Sequence, residues 1–439
     1  DPNGTGIEME ANKPGWCDAL NGLPALLGSS INESAELKHL SLLILDIIRR
    51  FGVDAEKAVR VPSEVYDLYR AVDELMAEAG PADDAADGVS DYDYWDKSNS
   101  AKEDYRSRIL YGISGEEKEI KVVELAGFLD RLVKKLGAGL EKAFNPESGV
   151  YYTYFINEVT DYELITDREG NPVKDGNGYP HVRALAFKQR PIPYFLEGPV
   201  HMLAVEKDAQ KAGALYASVK RSGLYDEKLR MFKVNENIMD ETGEIGRQNV
   251  FPRGWLENEA VFLHMEYKFI LQLLKCGLYD EYYENFKNCL IPFHDPAVYG
   301  RSILENSSFI ASSVHPDRKI HGTGFVSRLT GASAEFLSMW QIMTAGKEPF
   351  CLDGNGKLRL KIRPALPAWL FTGEAKTVMV CKDNAEREIR LPADTFAFNF
   401  LGSTLTILHN RNRKDTFGEG RARMTRIIQI GRASCRERV

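Results

Sequence analysis

Cysteine is scarce in this 439-residue chain, and its arrangement excludes more than its number does. Cys17, Cys276, Cys289, Cys351, Cys381 and Cys435 form no CxxC pair and stand at no Cys/His zinc spacing, so neither a metal site nor a disulfide framework is indicated. A reducing, cytoplasmic compartment is the expectation. Uninterrupted apolar sequence is missing too. The longest candidate, 40–48, is broken by Ser41 and Asp46, far short of the roughly 20 residues of a membrane helix, so no membrane association is expected. There is no basic excess: the net charge of -8 argues against a nucleic-acid surface and leaves small neutral or anionic ligands. The glycine fingerprints of nucleotide sites, the Walker loop and the Rossmann turn, are absent as well.

What is present is ordinary soluble composition, 44% hydrophobic and 27% charged, at a length that suits one large domain and a smaller one. Helical periodicity recurs at 34–51, 62–79, 98–110, 117–144, 200–222, 257–276, 280–290 and 332–344. Residues 150–165 read as short strands followed by a Gly/Asn/Asp/Pro turn at 169–180, a β insertion near 150–195. After Thr344 the pattern changes to alternation at 357–363 and strands near 375–380, 388–391, 396–400 and 403–408, a small β domain over 346–415. Paired helices with functional loops at one end suit an α/α toroid, with an armadillo-like solenoid as the structural rival. The end 429–439 matches a translated sequencing-adapter oligonucleotide and is set apart from the fold, together with the rest of a tail over 416–439. A genuine basic tail is the alternative.

Three polar clusters could carry chemistry. The first, 4–24, is a Gly/Pro/Asn-rich loop in which Trp16 offers a flat face for a pyranose two residues before the carboxyl of Asp18; a core tryptophan beside a helix cap would look the same. The second, 253–267, sets Glu257, Asn258 and His264 beside a strongly apolar stretch. A lone histidine there is more often a satisfied core residue, and Glu266 with Tyr267 fits a solvated helix face. In the third, Thr330-Gly331-Ala332-Ser333 opens a helix with hydroxyls and unpaired N–H groups, a ready anion site or a plain cap. Between the second and third, Arg301 and Glu305 add a further polar group of undetermined role.

Taken in order, these motifs resemble glycoside hydrolase family 94, the cellobiose, chitobiose and β-oligoglucan phosphorylases. Trp16-Cys17-Asp18 is similar to the family's Trp-Asn-Asp triplet, Glu257-Asn258-Glu259-Ala260-Val261-Phe262-Leu263-His264 to its Glu-Asn-Gly-x-x-Phe-x-His motif, and Thr330-Gly331-Ala332-Ser333 to its Thr-Gly-Ser-Ala segment. The resemblance covers roughly 4–370. It implies a mainly α fold, an (α/α)6 barrel truncated at its N-terminus and filling 1–345, followed by the small β domain. It also implies Asp18 as general acid, substrate contacts at Trp16, Glu257 and Asn258, and phosphate contacts at His264, Thr330 and Gly331. Cys17 replaces the triplet's Asn, Glu259 replaces the motif Gly, and Leu256 stands where a sugar-binding Lys is common. The long insertion near 150–193 and the Pro14-Gly15-Trp16-Cys17-Asp18-Ala19-Leu20-Asn21-Gly22-Leu23-Pro24 loop look more like the oligoglucan-acting members. The resemblance further implies an N-terminal β-sandwich and first barrel helices ahead of Asp1, so that 1–429 alone is expected to be inactive, and a homodimer in the full-length protein.

An inverting hydrolase needs an acid for the leaving oxygen and a second carboxylate to activate water. A phosphorylase needs only the acid, because phosphate is itself the nucleophile and is held by an anion clamp. The expected reaction is inverting phosphorolysis of β-glucosides or β-oligoglucans to α-glucose 1-phosphate and a shortened sugar, with no metal or organic cofactor. Asp18 must then start protonated, through burial beside Trp16. Two alternatives stay open: an inverting hydrolase with Glu257 or Glu305 as base, and a non-catalytic carbohydrate-binding or scaffold protein. Asp18→Asn separates the enzymatic readings from the last one. Loss of turnover with glycan binding retained is the expected result in paired activity and binding assays, and unaltered turnover removes Asp18 from the acid role.

Overall fold

The computed structural model describes residues 1–10, 16–78, 90–326, 331–382, 385–402 and 404–428. Ten α-helices are found among them: α1 (Asn32–Arg50), α2 (Ser63–Glu78), α3 (Asp91–Ile109), α4 (Val122–Lys142), α5 (Glu197–Val205), α6 (Ala209–Arg221), α7 (Leu263–Cys276), α8 (Tyr279–Cys289), α9 (Pro296–Tyr299) and α10 (Ala332–Thr344). The proposed non-native end, 429–439, lies outside the described residues.

The chain divides into two compact units, Asp1–Cys276 with Asn285–Ala332, and Gly277–Glu284 with Ser333–Val439. In the first, α1 packs on α4 and α5, α5 on α7, and α2 on α3. A four-stranded antiparallel sheet runs Ile7–Glu8, Ser29–Ser30, Tyr154–Leu164, Val182–Pro191, the last two forming a long hairpin. A smaller sheet joins Val261–Phe262, Phe309–Ile310 and Gly324–Phe325. The second unit holds most of α10 and three antiparallel hairpins: Phe350–Leu352 with Leu358–Leu360, Lys376–Lys382 with Ala385–Leu391, and Thr395–Phe400 with Thr404–His409.

This arrangement overturns the expectation of a mainly α (α/α)6 barrel. Among the described residues helix accounts for 40% and strand for 22%, the strands lying in many small antiparallel sheets. The physical reason lies in what the periodicity can report. A helical stripe shows that a helix is amphipathic, not that neighbours cover it. On α1 the stripe residues Leu40, Leu43 and Ile47 remain exposed, and among its described residues α3 buries none. Two long helical patterns also break. Residues 117–144 divide into a strand, Glu117–Lys121, paired with Ala58–Pro62, and α4: Ile120, the one apolar residue of Glu117–Lys121, is buried and meets Val59 across the ladder. The 200–222 pattern divides into α5 and α6, because the Asp208 carboxylate caps α6 by accepting from Gln210 and Lys211 N–H (2.8 and 3.3 Å).

The helix that positions the site is α7. Leu263, Met265, Tyr267, Phe269, Ile270, Leu271, Leu273 and Leu274 are all buried, so it is apolar nearly all round and sits in the core. Burying each large side chain is worth about 1.5–3 kcal/mol. Glu266 and Tyr267 are therefore interior rather than a solvated face: Tyr267 Oη accepts from Ile291 N–H (3.1 Å) and Glu266 Oε1 from Phe232 N–H (2.9 Å). The sequence alone could not place them, because the polar ends of both side chains find partners that are remote in the chain.

Burial pushes the Glu266 carboxyl up to about 8, against the opposing hydrogen bonds from Phe232 and Cys289. An acid with a higher pKa folded than unfolded favours the folded state when protonated. Its contribution is therefore full below the ordinary value of 4.5 and is lost as the pH climbs towards 8. Between pH 5 and 8 the unaltered protein is expected to lose stability relative to Glu266→Gln, by about 1.4 kcal/mol per pH unit at most. Urea unfolding of both at several pH values checks this, and parallel profiles would contradict it.

Candidate active site

The loop around Asp18 is anchored by its neighbours. Cys17, Ala19, Leu20 and Leu23 are buried against Tyr154, Ile156, Ile192, Phe195, Ile238 and Ile245. Cys17 is extended (φ -84°, ψ 92°), and a short 3-10 helix, Asp18–Leu20, follows it, with Leu20 N–H donating to Cys17 O (3.0 Å). Asp18 thus opens this helix; its side chain, like residues 11–15, lies outside the described residues. Burial pushes the Cys17 thiol far above its usual range, and the carboxylates of Glu257 and Glu197 add to the effect. The second motif is therefore within electrostatic reach of the first.

A row of rings makes the direct connection. Trp16, still 39% exposed, stacks on Phe262 (centroids 5.2 Å apart, planes 11° apart). Phe262 lies opposite Phe309 and Phe309 opposite Phe325 across the small sheet, with centroid separations of 4.9 and 5.5 Å. Trp255 closes the far end on Phe325 (3.6 Å, 3°). Such contacts are each worth about 0.5–1.5 kcal/mol beyond the area they bury. Two residues past Phe262, in the first turn of α7, the half-buried imidazole of His264 meets the Phe262 edge (6.1 Å, 70°). That imidazole also lies so close to Gly331 that a Cβ there would overlap ring atoms Nδ1, Cε1 and Nε2. Thr330 lies outside the described residues.

Residues 253–260 form a tight turn rather than the start of the helix expected at 257. Gly254 and Trp255 N–H both donate to Asn258 O (2.8 and 3.2 Å), and Leu256 and Glu259 take left-handed φ of 51° and 58°. Asn258 is fully buried, its Nδ2 donating to Phe251 O (2.7 Å), so its side chain braces the turn. Glu257 is half-buried, and its backbone carbonyl accepts from Gln248 Nε2. Glu259, 1% exposed, is gripped by Arg253 and by Lys233 Nζ (2.9 Å). Burial acts to raise its pKa, yet Arg253 and Lys233 outweigh that and hold it below its ordinary value. Glu305 pairs with Arg301 Nε (3.0 Å).

Beside Trp16 opens a cavity of about 50 Å³ whose walls include Cys17, Asn32, Glu33, Tyr154 and Glu197. Tyr154 Oη donates to Glu197 Oε2 (2.5 Å). His201 lies between Glu197 Oε1 (3.5 Å from Nε2) and Glu36 Oε1 (2.7 Å from Nδ1). Burial opposes its protonation, but the two carboxylates prevail and raise its pKa. Sequence reasoning missed these wall residues. A signal for Glu197 existed, a carboxylate inside the apolar run 192–203 that is costly to bury without a partner; none marked Asn32 or Tyr154.

The fold thus gathers Trp16, the Asp18 backbone, His264 and Gly331 along one line of contacts, brings Glu257 within electrostatic range, and assigns Asn258 to bracing. Among the described residues no group of three or more His, Cys, Asp or Glu could hold a metal ion, and no helix is long and apolar enough to cross a membrane. No protein-family model matches the chain, and no curated protein matches it either.

Gly331→Ala is expected to drive the His264 ring off its seat, costing about 1–3 kcal/mol as overpacking does. Histidine side-chain NMR together with denaturant unfolding reads both effects. A variant with the His264 signals of the parent would show that the contact does not fix the ring.

Proposed function

We propose that the protein is an inverting phosphorylase of β-glucosides or β-oligoglucans, related to glycoside hydrolase family 94, that releases α-glucose 1-phosphate and a shortened sugar. One observation carries the reading: the Trp16–Phe262–His264–Gly331 succession of contacts, which draws three motifs separated by more than 300 residues into one locus. A second supports it. Position 259, where the resemblance calls for glycine, has the left-handed φ of 58° that favours glycine.

In the proposed reaction Trp16 lies along the sugar. Asp18 gives its proton to the glycosidic oxygen as the bond to the anomeric carbon breaks, and a phosphate oxygen forms the new bond from the opposite face. His264, Thr330 and Gly331 hold the phosphate, the imidazole and hydroxyl by hydrogen bonds and the glycine through its N–H. Phosphate takes the place of an activated water, so no second carboxylate is required. Free thiols at Cys17, Cys289, Cys351 and Cys381 support a cytoplasmic setting.

The test is to incubate the natural protein with β-linked gluco-oligosaccharides with and without inorganic phosphate. α-Glucose 1-phosphate is expected to form only with phosphate, and His264→Ala to lower turnover by about 10²–10³ while raising the KM for phosphate. Sugar release at the same rate without phosphate would sink the reading in favour of an inverting hydrolase.

A further inference from the structure

Asn32 is the first residue of α1, and its side chain, 5% exposed, forms part of the wall of the cavity beside Trp16. Its orientation follows from counting protons. Tyr154 has one hydroxyl proton and donates it to Glu197 Oε2 at 2.5 Å. Towards Asn32 the phenol oxygen can therefore only accept, which turns the amide Nδ2 to it at 3.4 Å. That leaves Asn32 Oδ1, a buried acceptor with no hydrogen-bond partner. An acceptor of this kind is costly to leave unmade, and the residue that carries it lines a void.

The void of about 50 Å³ has room for one or two water-sized groups. Among the residues that line it, Asn32 Oδ1 is the buried side-chain polar atom without a partner, and it is an acceptor, so the occupant that satisfies it supplies a donor. A cation is not called for, because the charge of Glu197 already faces His201 at 3.5 Å and Glu33 is exposed to solvent. Trp16 and Glu33 are the exposed members of the wall and mark the opening. One face of Trp16 is taken by Phe262. An aromatic ring at the mouth and a buried acceptor in the wall form a pattern that receives a pyranose, its carbon face against the ring and a hydroxyl directed inward.

We propose that this recess is a subsite for a single hydroxyl or hydroxymethyl group of a glucose unit lying on Trp16, with Asn32 Oδ1 accepting its proton and the Tyr154–Glu197 pair fixing the amide. The proposal rests on the sugar reading above but is read out by binding, so the two can fail separately. Calorimetric titration of the protein with glucose and with each of its mono-deoxy analogues is the experiment. One analogue is expected to bind about tenfold or more weakly than glucose. Asn32→Leu should bring glucose down to that analogue's affinity, and Asn32→Asp, which keeps the acceptor, should retain the difference. If Asn32→Leu does not fold, the analogues on the unaltered protein and on Asn32→Asp still decide. Should glucose fail to bind, should every analogue bind within about twofold of glucose, or should Asn32→Leu discriminate as the parent does, the recess holds water only and the proposal is overturned. A protein that discriminates the analogues but shows no phosphate-dependent turnover keeps this subsite and loses the phosphorylase reading.

Discussion

The small sheet formed by Val261–Phe262, Phe309–Ile310 and Gly324–Phe325 is two residues wide on every strand. So few ladder hydrogen bonds cannot hold a sheet in register. What fixes it is the constraint that Phe262, Phe309 and Phe325 lie directly opposite one another and stack, with Trp16 and Trp255 closing the ends. A slip of one residue would turn every ring to the other face and part them all. The loop carrying Asp18, the first turn of α7 carrying His264, and through that histidine the Gly331 backbone all take their positions from this row.

Around it, polar interactions hold segments whose backbones are under strain. The 253–259 turn contains two left-handed non-glycine residues, Leu256 and Glu259, conformations that cost about 1–3 kcal/mol each. Glu259 sits there because its carboxylate binds Arg253 and Lys233 and its N–H donates to Asn235 Oδ1 (2.8 Å). The ion group offsets a conformation that a glycine would have taken freely. The same logic operates by the cavity, where Glu197 is buried between a phenol that donates to it and an imidazole inclined to be protonated. In both places a carboxylate is tolerated in the interior because its partners come from distant segments.

How far the sequence could be read depended on whether a feature is local. Periodicity located α2, α8 and α10 to within a residue or two, because an amphipathic repeat and its flanking caps are properties of the segment itself. It failed where a strand and a helix abut, as at Lys121 and Val122, and where a turn replaces a first helical turn, as at 257–262, since pairing with Ala58–Pro62 or with Phe309–Ile310 is not encoded nearby.

The sequence by itself supplied the residue types, Trp16 with Asp18, His264 and Gly331, that the proposed site is built from, whereas the close approach of Gly331 to the His264 ring is a property of the folded chain. Only the tertiary structure decided that the helices do not form the barrel their stripes suggested, that Asn258 braces a turn, and that Asn32, Tyr154 and Glu197 share a wall. The physical reason is that a pattern along the chain records what a segment can bury, whereas which surface covers it, and which buried polar atom is left without a partner, is set by packing between segments more than a hundred residues apart.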